Sequence, residues 1–203
     1  LRPDFRLYLI TDRKIVPDIV SSVEDALRGG VRAVQVREKD LPIRELLGLS
    51  YKLREVTLRY GAKLFINDRV DVAVSVGADG VHLSTTSMPT YSVKKTWDNL
   101  IVGVSCHNEA EALEAEKEGA DFITLGPIYE TPSKLRYGLP LGLDIIRQIR
   151  AKTDIPIFAI GGVRLENIEE VLREGAYGVA LISGIFSSRD IRKTSEQYVR
   201  VIR

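Results

Sequence analysis

The sequence predicts a (β/α)₈ TIM barrel, a single domain over residues 1–203 in which eight parallel strands close into a ring covered by helices. Three observations carry this expectation. Short β-branched runs alternate with longer amphipathic stretches along the whole chain. The short runs are apolar at consecutive positions, as strands buried on both faces require, and repeated right-handed β-α-β crossovers favour closure when eight units are present. A joint also recurs where helix should give way to strand: Gly77-Ala78-Asp79-Gly80-Val81, Gly119-Ala120-Asp121-Phe122-Ile123 and Gly175-Ala176-Tyr177-Gly178-Val179, with Gly29-Gly30-Val31 as a looser copy.

Taken in order, the first strand is Leu7–Ile10. It is followed by Thr11-Asp12-Arg13-Lys14, not by the G-x-G-x-x-G loop that an open dinucleotide-binding sheet would place there. Ala33–Val36 follows the looser joint, and Leu64–Ile66 runs into Asn67-Asp68-Arg69. Gly80–Leu83, Phe122–Leu125 and Gly178–Ile182 follow the three full joints, whose leading glycine can take the left-handed conformation that ends a helix. Ile101–Ser105 and Ile157–Ile160 complete the eight. Of the intervening helices the last is the clearest, with Ile191, Tyr198, Val199 and Ile202 on one face.

With 203 residues the chain can bury a sizeable core as one domain. Its 29 basic and 28 acidic residues nearly cancel and are interspersed, so no global field attracts nucleic acid or an anionic membrane surface. The only cysteine, Cys106, has no partner for an intramolecular disulfide, which fits a reducing, cytoplasmic setting. Leu7–Ile10 is too short for a signal-peptide core, and no later run approaches the roughly 20 apolar residues of a membrane span. A homo-oligomer is compatible with the sequence but not readable from it.

In a TIM barrel the active site forms where the strands run out into the following loops. The second strand ends in Gln35-Val36-Arg37-Glu38-Lys39-Asp40, and alternation points Gln35, Arg37 and Lys39 into the mouth if the extended geometry persists; the alternative is a solvated charged loop. The third places Asn67 and Asp68 at the mouth, where Asp68 suits either a divalent cation or the N-cap of the helix beginning near Val70. Gly161-Gly162 after the seventh strand and Ser183-Gly184 after the eighth match the backbone phosphate site of such barrels, or else are tight turns. The long loop Gly126–Lys134 reads as a lid, with Thr131, Ser133 and Lys134 as candidate contacts. His82 reads as a satisfied core histidine, and Ser105 and His107 end the fifth strand. No Cys/His cluster suggests zinc. Arg37, Lys39 and Lys134 together suit a diphosphate leaving group, so phosphorylated small molecules are the expected partners.

These motifs resemble the thiamine-phosphate synthase family, which includes the TenI-like thiazole tautomerases. The carriers are Leu7-Tyr8-Leu9-Ile10-Thr11-Asp12, Gln35-Val36-Arg37-Glu38-Lys39, Ile66-Asn67-Asp68-Arg69, Gly80-Val81-His82-Leu83, Gly126-Pro127-Ile128, Thr131-Pro132-Ser133-Lys134, Ala159-Ile160-Gly161-Gly162 and Ile182-Ser183. The resemblance implies a transferase that joins hydroxyethylthiazole phosphate to hydroxymethylpyrimidine diphosphate. The diphosphate leaves, and the thiazole nitrogen captures the resulting pyrimidine carbocation. It implies that Gln35, Arg37, Lys39, Asn67 and Lys134 surround the pyrimidine diphosphate, that Asp68 binds Mg²⁺ and that Ser105 lies near the pyrimidine. Thr131, Ser133, Gly162, Ile182 and Ser183 would hold the thiazole phosphate. The synthase's second magnesium carboxylate falls on Ser87, and the tautomerase's acid–base histidine aligns with Pro127. The tautomerase, with His107 or Glu130 as substitute base, and a non-catalytic barrel binding a thiamine-related phosphate are the alternative readings.

Overall fold

The protein is described by a computed structural model covering residues 3–131 and 139–202. Eight parallel strands close into a barrel in sequence order. They are β1 (Leu7–Ile10), β2 (Ala33–Val36), β3 (Lys63–Asn67), β4 (Gly80–Leu83), β5 (Ile101–Cys106), β6 (Phe122–Leu125), β7 (Ile157–Ile160) and β8 (Gly178–Leu181). The ring is completed by β8 beside β1, with Tyr8 opposite Ala180. Around it lie α1 (Ile19–Arg28), α2 (Ile43–Arg59), α3 (Val70–Ser75), α4 (Thr90–Thr96), α5 (Glu109–Lys117), α6 (Asp144–Arg150), α7 (Ile168–Arg173), α8 (Ser183–Phe186) and α9 (Ile191–Ile202).

Strand alternation divides the core in two. Leu7, Leu9, Val34, Val36, Leu64, Ile66, Val81, Leu83, Ile123, Leu125, Val179 and Leu181 face outward and pack with the helices. Phe5, Tyr8, Phe65, Phe122 and Phe158 fill the interior. Their rings meet at 5.2 to 6.1 Å between centroids, many edge-to-face, the arrangement that aromatic quadrupoles favour. Glycines make room for them: a Cβ on Gly80 would lie 2.7 Å from the Phe65 ring. Toward the strand ends the next inward positions carry polar groups on β2 to β6, namely Gln35, Asn67, His82, Ser105 and Thr124, while Ile10 on β1 and Ile160 on β7 continue the apolar interior.

The recurring joint does two jobs. Gly77, Gly119 and Gly175 have φ of 62°, 91° and 102°, the left-handed conformation expected of a helix stop. The aspartate two residues on ties adjacent strands together: Asp79 accepts the N–H of Leu64 (2.9 Å) and pairs with Arg54 (2.7 Å), and Asp121 accepts the N–H of Val102 (2.7 Å) and pairs with Lys94. In the third copy Tyr177 instead donates to the Pro3 carbonyl and accepts from Arg6 through its own carbonyl. At the looser joint, a Cβ on Gly29 would lie 2.6 Å from that of Ser195, so the glycine lets α9 pack closely on the end of α1.

Two boundaries differ from the sequence expectation in a way that shapes the site. Ile182 leaves the eighth strand, with φ −120° and ψ −89°. What reads in sequence as a Ser183-Gly184 loop is the first turn of α8, which starts directly behind the strand.

Candidate active site

The mouth begins with β2. Gln35 is buried and its Nε2 donates to the Tyr8 hydroxyl at 3.1 Å. Arg37 is half-buried, and its backbone N–H donates to Oγ1 of the buried Thr11 at 2.9 Å. β2 ends at Val36, so Arg37 stands at the mouth directly behind that strand. The extended geometry does not persist to Lys39. The chain turns at Lys39-Asp40, with the Leu41 N–H donating to the Glu38 carbonyl at 3.1 Å, so Lys39 is exposed in a turn and the alternation argument stops at Glu38.

Asp68 is the most constrained residue of the site. It is the described non-glycine residue with positive φ, 60°, a conformation Asp tolerates better than most side chains. Its N–H donates to the His82 carbonyl at 2.9 Å, which pins it between β3 and β4. The carboxylate accepts from Asn67 Nδ2 (2.8 Å), from Ser84 Oγ (3.2 Å) and from Ser87 Oγ. The N-cap alternative does not hold: the cap of α3 is Arg69, and no side chain caps that helix. Ser87, separated from Asp68 in sequence, arrives on the same carboxylate oxygen as Ser84. Asp68, Ser84 and Ser87 thus form an all-oxygen donor set, which fits a hard cation such as Mg²⁺ bound through one carboxylate. Among the described residues no group of three or more His, Cys, Asp or Glu converges as a metal centre.

Deeper in the barrel, His82 is fully enclosed, as expected of a core histidine. Nδ1 lies 3.4 Å from the Tyr8 hydroxyl, and Nε2 lies 3.1 Å from Ser105 Oγ and 3.3 Å from Thr124 Oγ1. Burial drives its pKa down to about 3, and the Arg37 cation pushes the same way against the opposing pull of Asp68. The imidazole is therefore neutral at physiological pH. It links Gln35 and Tyr8 to Ser105, whose half-buried hydroxyl stands at the end of β5. A Cβ on Gly103 would lie 2.6 Å from His82 Nδ1, so that glycine makes the space the imidazole occupies.

Gly161 and Gly162 have φ of 92° and 69°. The β6 loop crosses them closely: Ile128 N–H donates to the Ile160 carbonyl (2.9 Å) and Tyr129 N–H to the Gly161 carbonyl (3.0 Å). A Cβ on Gly161 would lie 2.6 Å from that of Pro127, and one on Gly162 2.6 Å from that of Tyr129. Turn geometry and close packing are thus each sufficient reason for the glycine pair. Beside it, the first intrahelical donors of α8 are Ile185 and Phe186, both bonded to the Ile182 carbonyl, so the N–H groups of Ser183 and Gly184 precede the helical ladder. Thr131 is half-buried on the same loop. Ser133 and Lys134 lie outside the described residues. His107 is exposed and pairs with Glu111 at 3.1 Å, and Glu130 is exposed. Pro127 occupies the loop crossing Gly161.

The profile of the family described as thiamine monophosphate synthase matches residues 7–185. The chain belongs to that family. A putative thiamine-phosphate synthase of Geobacter sulfurreducens is 48% identical over 202 residues, covering 98% of this chain and 95% of the relative. A thiamine-phosphate synthase of Pyrococcus furiosus is 42% identical, covering 100% and 97%. Among solved structures, a thiamine phosphate pyrophosphorylase from Pyrococcus furiosus superposes with a TM-score of 0.89 at 41% identity, covering 98% of this chain and 95% of that one. These relatives are named thiamine-phosphate synthases, which are transferases, and no helix among the described residues is long and apolar enough to cross a membrane.

Sequence reasoning brought Gln35, Arg37, Asn67, Asp68, Ser87 and Ser105 to this end of the barrel. It missed Ser84, Thr124 and Tyr8, which complete the hydrogen bonds of Asp68 and His82. Alternation held the signal for Tyr8 and Thr124: each sits between outward-facing leucine or isoleucine neighbours and so points inward.

Proposed function

We propose that the chain condenses hydroxyethylthiazole phosphate with hydroxymethylpyrimidine diphosphate, giving thiamine phosphate and diphosphate. The observation that carries the reading is the convergence of Arg37, Asn67 and the Asp68–Ser84–Ser87 cluster on one side of a mouth whose other side is the Gly162 and Ser183 backbone, in a chain of this family. Gln35, Arg37, Lys39, Asn67 and Lys134 hold the pyrimidine diphosphate. Thr131, Ser133, Gly162, Ile182 and Ser183 hold the thiazole phosphate, and Ser105 contacts the pyrimidine. Asp68 holds Mg²⁺, which when bound offsets charge on the departing diphosphate. The condensation needs charge stabilisation at the leaving group and two reactants held together more than it needs a proton shuttle, which agrees with a neutral, enclosed His82 as the buried titratable group at the centre.

The test is direct. Protein, both substrates and Mg²⁺ are mixed, and thiamine phosphate is followed against a chelated control. Magnesium-dependent product is expected, with Arg37→Ala lowering turnover by about 10² to 10³-fold, the scale of losing one transition-state charge contact. Absence of product from folded protein that still binds thiazole phosphate refutes the condensation, and unchanged turnover in Arg37→Ala refutes the assignment of the clamp. The substrates are small anions; the surface charge balance supplies no argument for a nucleic-acid partner, and a cytoplasmic location is part of the same proposal.

A further inference from the structure

The loop that should meet the diphosphate carries alternating charge: Arg37, Glu38, Lys39, Asp40. Its formal sum is zero, so net charge alone gives it no reason to attract an anion. The structure separates the signs. Glu38, with its side chain 2% exposed, accepts the backbone N–H of Arg13 at 3.0 Å and pairs with the Arg13 guanidinium at 3.4 Å. Asp40 takes the same guanidinium through two bonds, 2.9 and 3.2 Å, and pairs with Lys14 at 2.9 Å. The Asp40 carboxyl is held far below the usual range by these hydrogen bonds, so it stays charged. Two carboxylates are thus matched by two cations from the loop after β1. Among the described residues neither Arg37 nor Lys39 forms an ion pair.

We propose that Arg13 is a charge-setting and positioning residue for the anion site: by neutralising Glu38 and Asp40 it leaves the loop after β2 presenting only the cations Arg37 and Lys39. The inference rests on the reading that this loop meets a diphosphate. Arg13 does not touch the substrate in this scheme. It acts through Glu38 and Asp40, and a planar fork with several donors is the side chain suited to hold two carboxylates at once. Thr11, whose hydroxyl accepts the Arg37 N–H, fixes the backbone between the two halves of the clip.

A charge-setting clip and a merely structural staple differ in sign. Replacing both carboxylates by their amides, Glu38→Gln with Asp40→Asn, keeps oxygen acceptors for Arg13 while freeing its charge. Binding of inorganic diphosphate with Mg²⁺ is measured by titration calorimetry, which needs no turnover. The amide pair should bind about tenfold more tightly at low salt, Arg13→Gln about tenfold more weakly, and both differences should shrink as salt rises. Weaker binding by the amide pair, a difference indifferent to salt, or no diphosphate binding by the unaltered protein overturns the proposal. Should Arg13→Gln fail to fold, the amide pair decides alone, because only the charge argument makes it a gain. Diphosphate binding in the expected ranking without thiamine phosphate formation refutes the condensation and upholds the role of Arg13.

Discussion

Acidification should destabilise this protein through His82, by an amount the structure sets. The imidazole is enclosed between Tyr8, Ser105, Thr124 and the space left by Gly103, and its folded pKa is about 3. In the unfolded chain it returns to about 6.5. A basic group with a depressed folded pKa favours the fold above its unfolded value, and the unfolded state takes up the extra proton as pH falls between the two. Unfolding free energy should therefore drop by about 1.4 kcal/mol per pH unit below about 6.5, which is about 2 kcal/mol between pH 7 and pH 5. His82→Gln removes the titration and retains polar atoms for the same cavity. Urea unfolding of both proteins across that range isolates the histidine: the stability difference between parent and variant should shift against the parent by about 2 kcal/mol on going to pH 5. Parallel curves would mean that His82 accepts a proton in the fold, and the picture of a sealed neutral histidine behind Ser105 would be wrong.

Three further outcomes follow from the same geometry. Phe122→Ala, which removes a ring packed against Phe5, Tyr8, Phe65 and Phe158, should cost about 3 to 5 kcal/mol in denaturant unfolding; a cost near zero would show that the interior plug is not tightly packed. Gly162→Ala meets both a φ of 69° and the Tyr129 Cβ at 2.6 Å, so thermal melting should fall by an equivalent of about 1 to 3 kcal/mol even without any ligand. Ser87→Asp restores a second carboxylate beside Asp68: without Mg²⁺ it should melt lower than the parent through like-charge repulsion. With Mg²⁺ it should recover and reach half-maximal activity at a lower metal concentration. A metal requirement unchanged by Ser87→Asp would show that the Asp68 cluster is not the magnesium site.

The sequence by itself determined the barrel. Periodicity is a local property, and it located β1, β2, β4, β6 and β7 at their observed residues because each is a short apolar run bounded by a glycine joint or a polar turn. It also placed Gln35, Arg37, Asn67 and Ser105 at strand ends, where topology alone directs them to one face. What only the tertiary structure decided is which groups touch. Asp68 and Ser87 lie on successive β-α loops, and their contact depends on a backbone conformation at Asp68 that no period announces. The neutrality of His82 depends on burial from several strands at once. The sorting of Arg37, Glu38, Lys39 and Asp40 into cations outside any ion pair among the described residues and clipped anions depends on Arg13, a residue from a different loop. Local pattern fixes secondary structure because it is written in neighbouring residues. Charge, hydrogen bonding and desolvation act through space, so a site is settled only when the barrel closes and brings distant side chains within a few ångströms of one another.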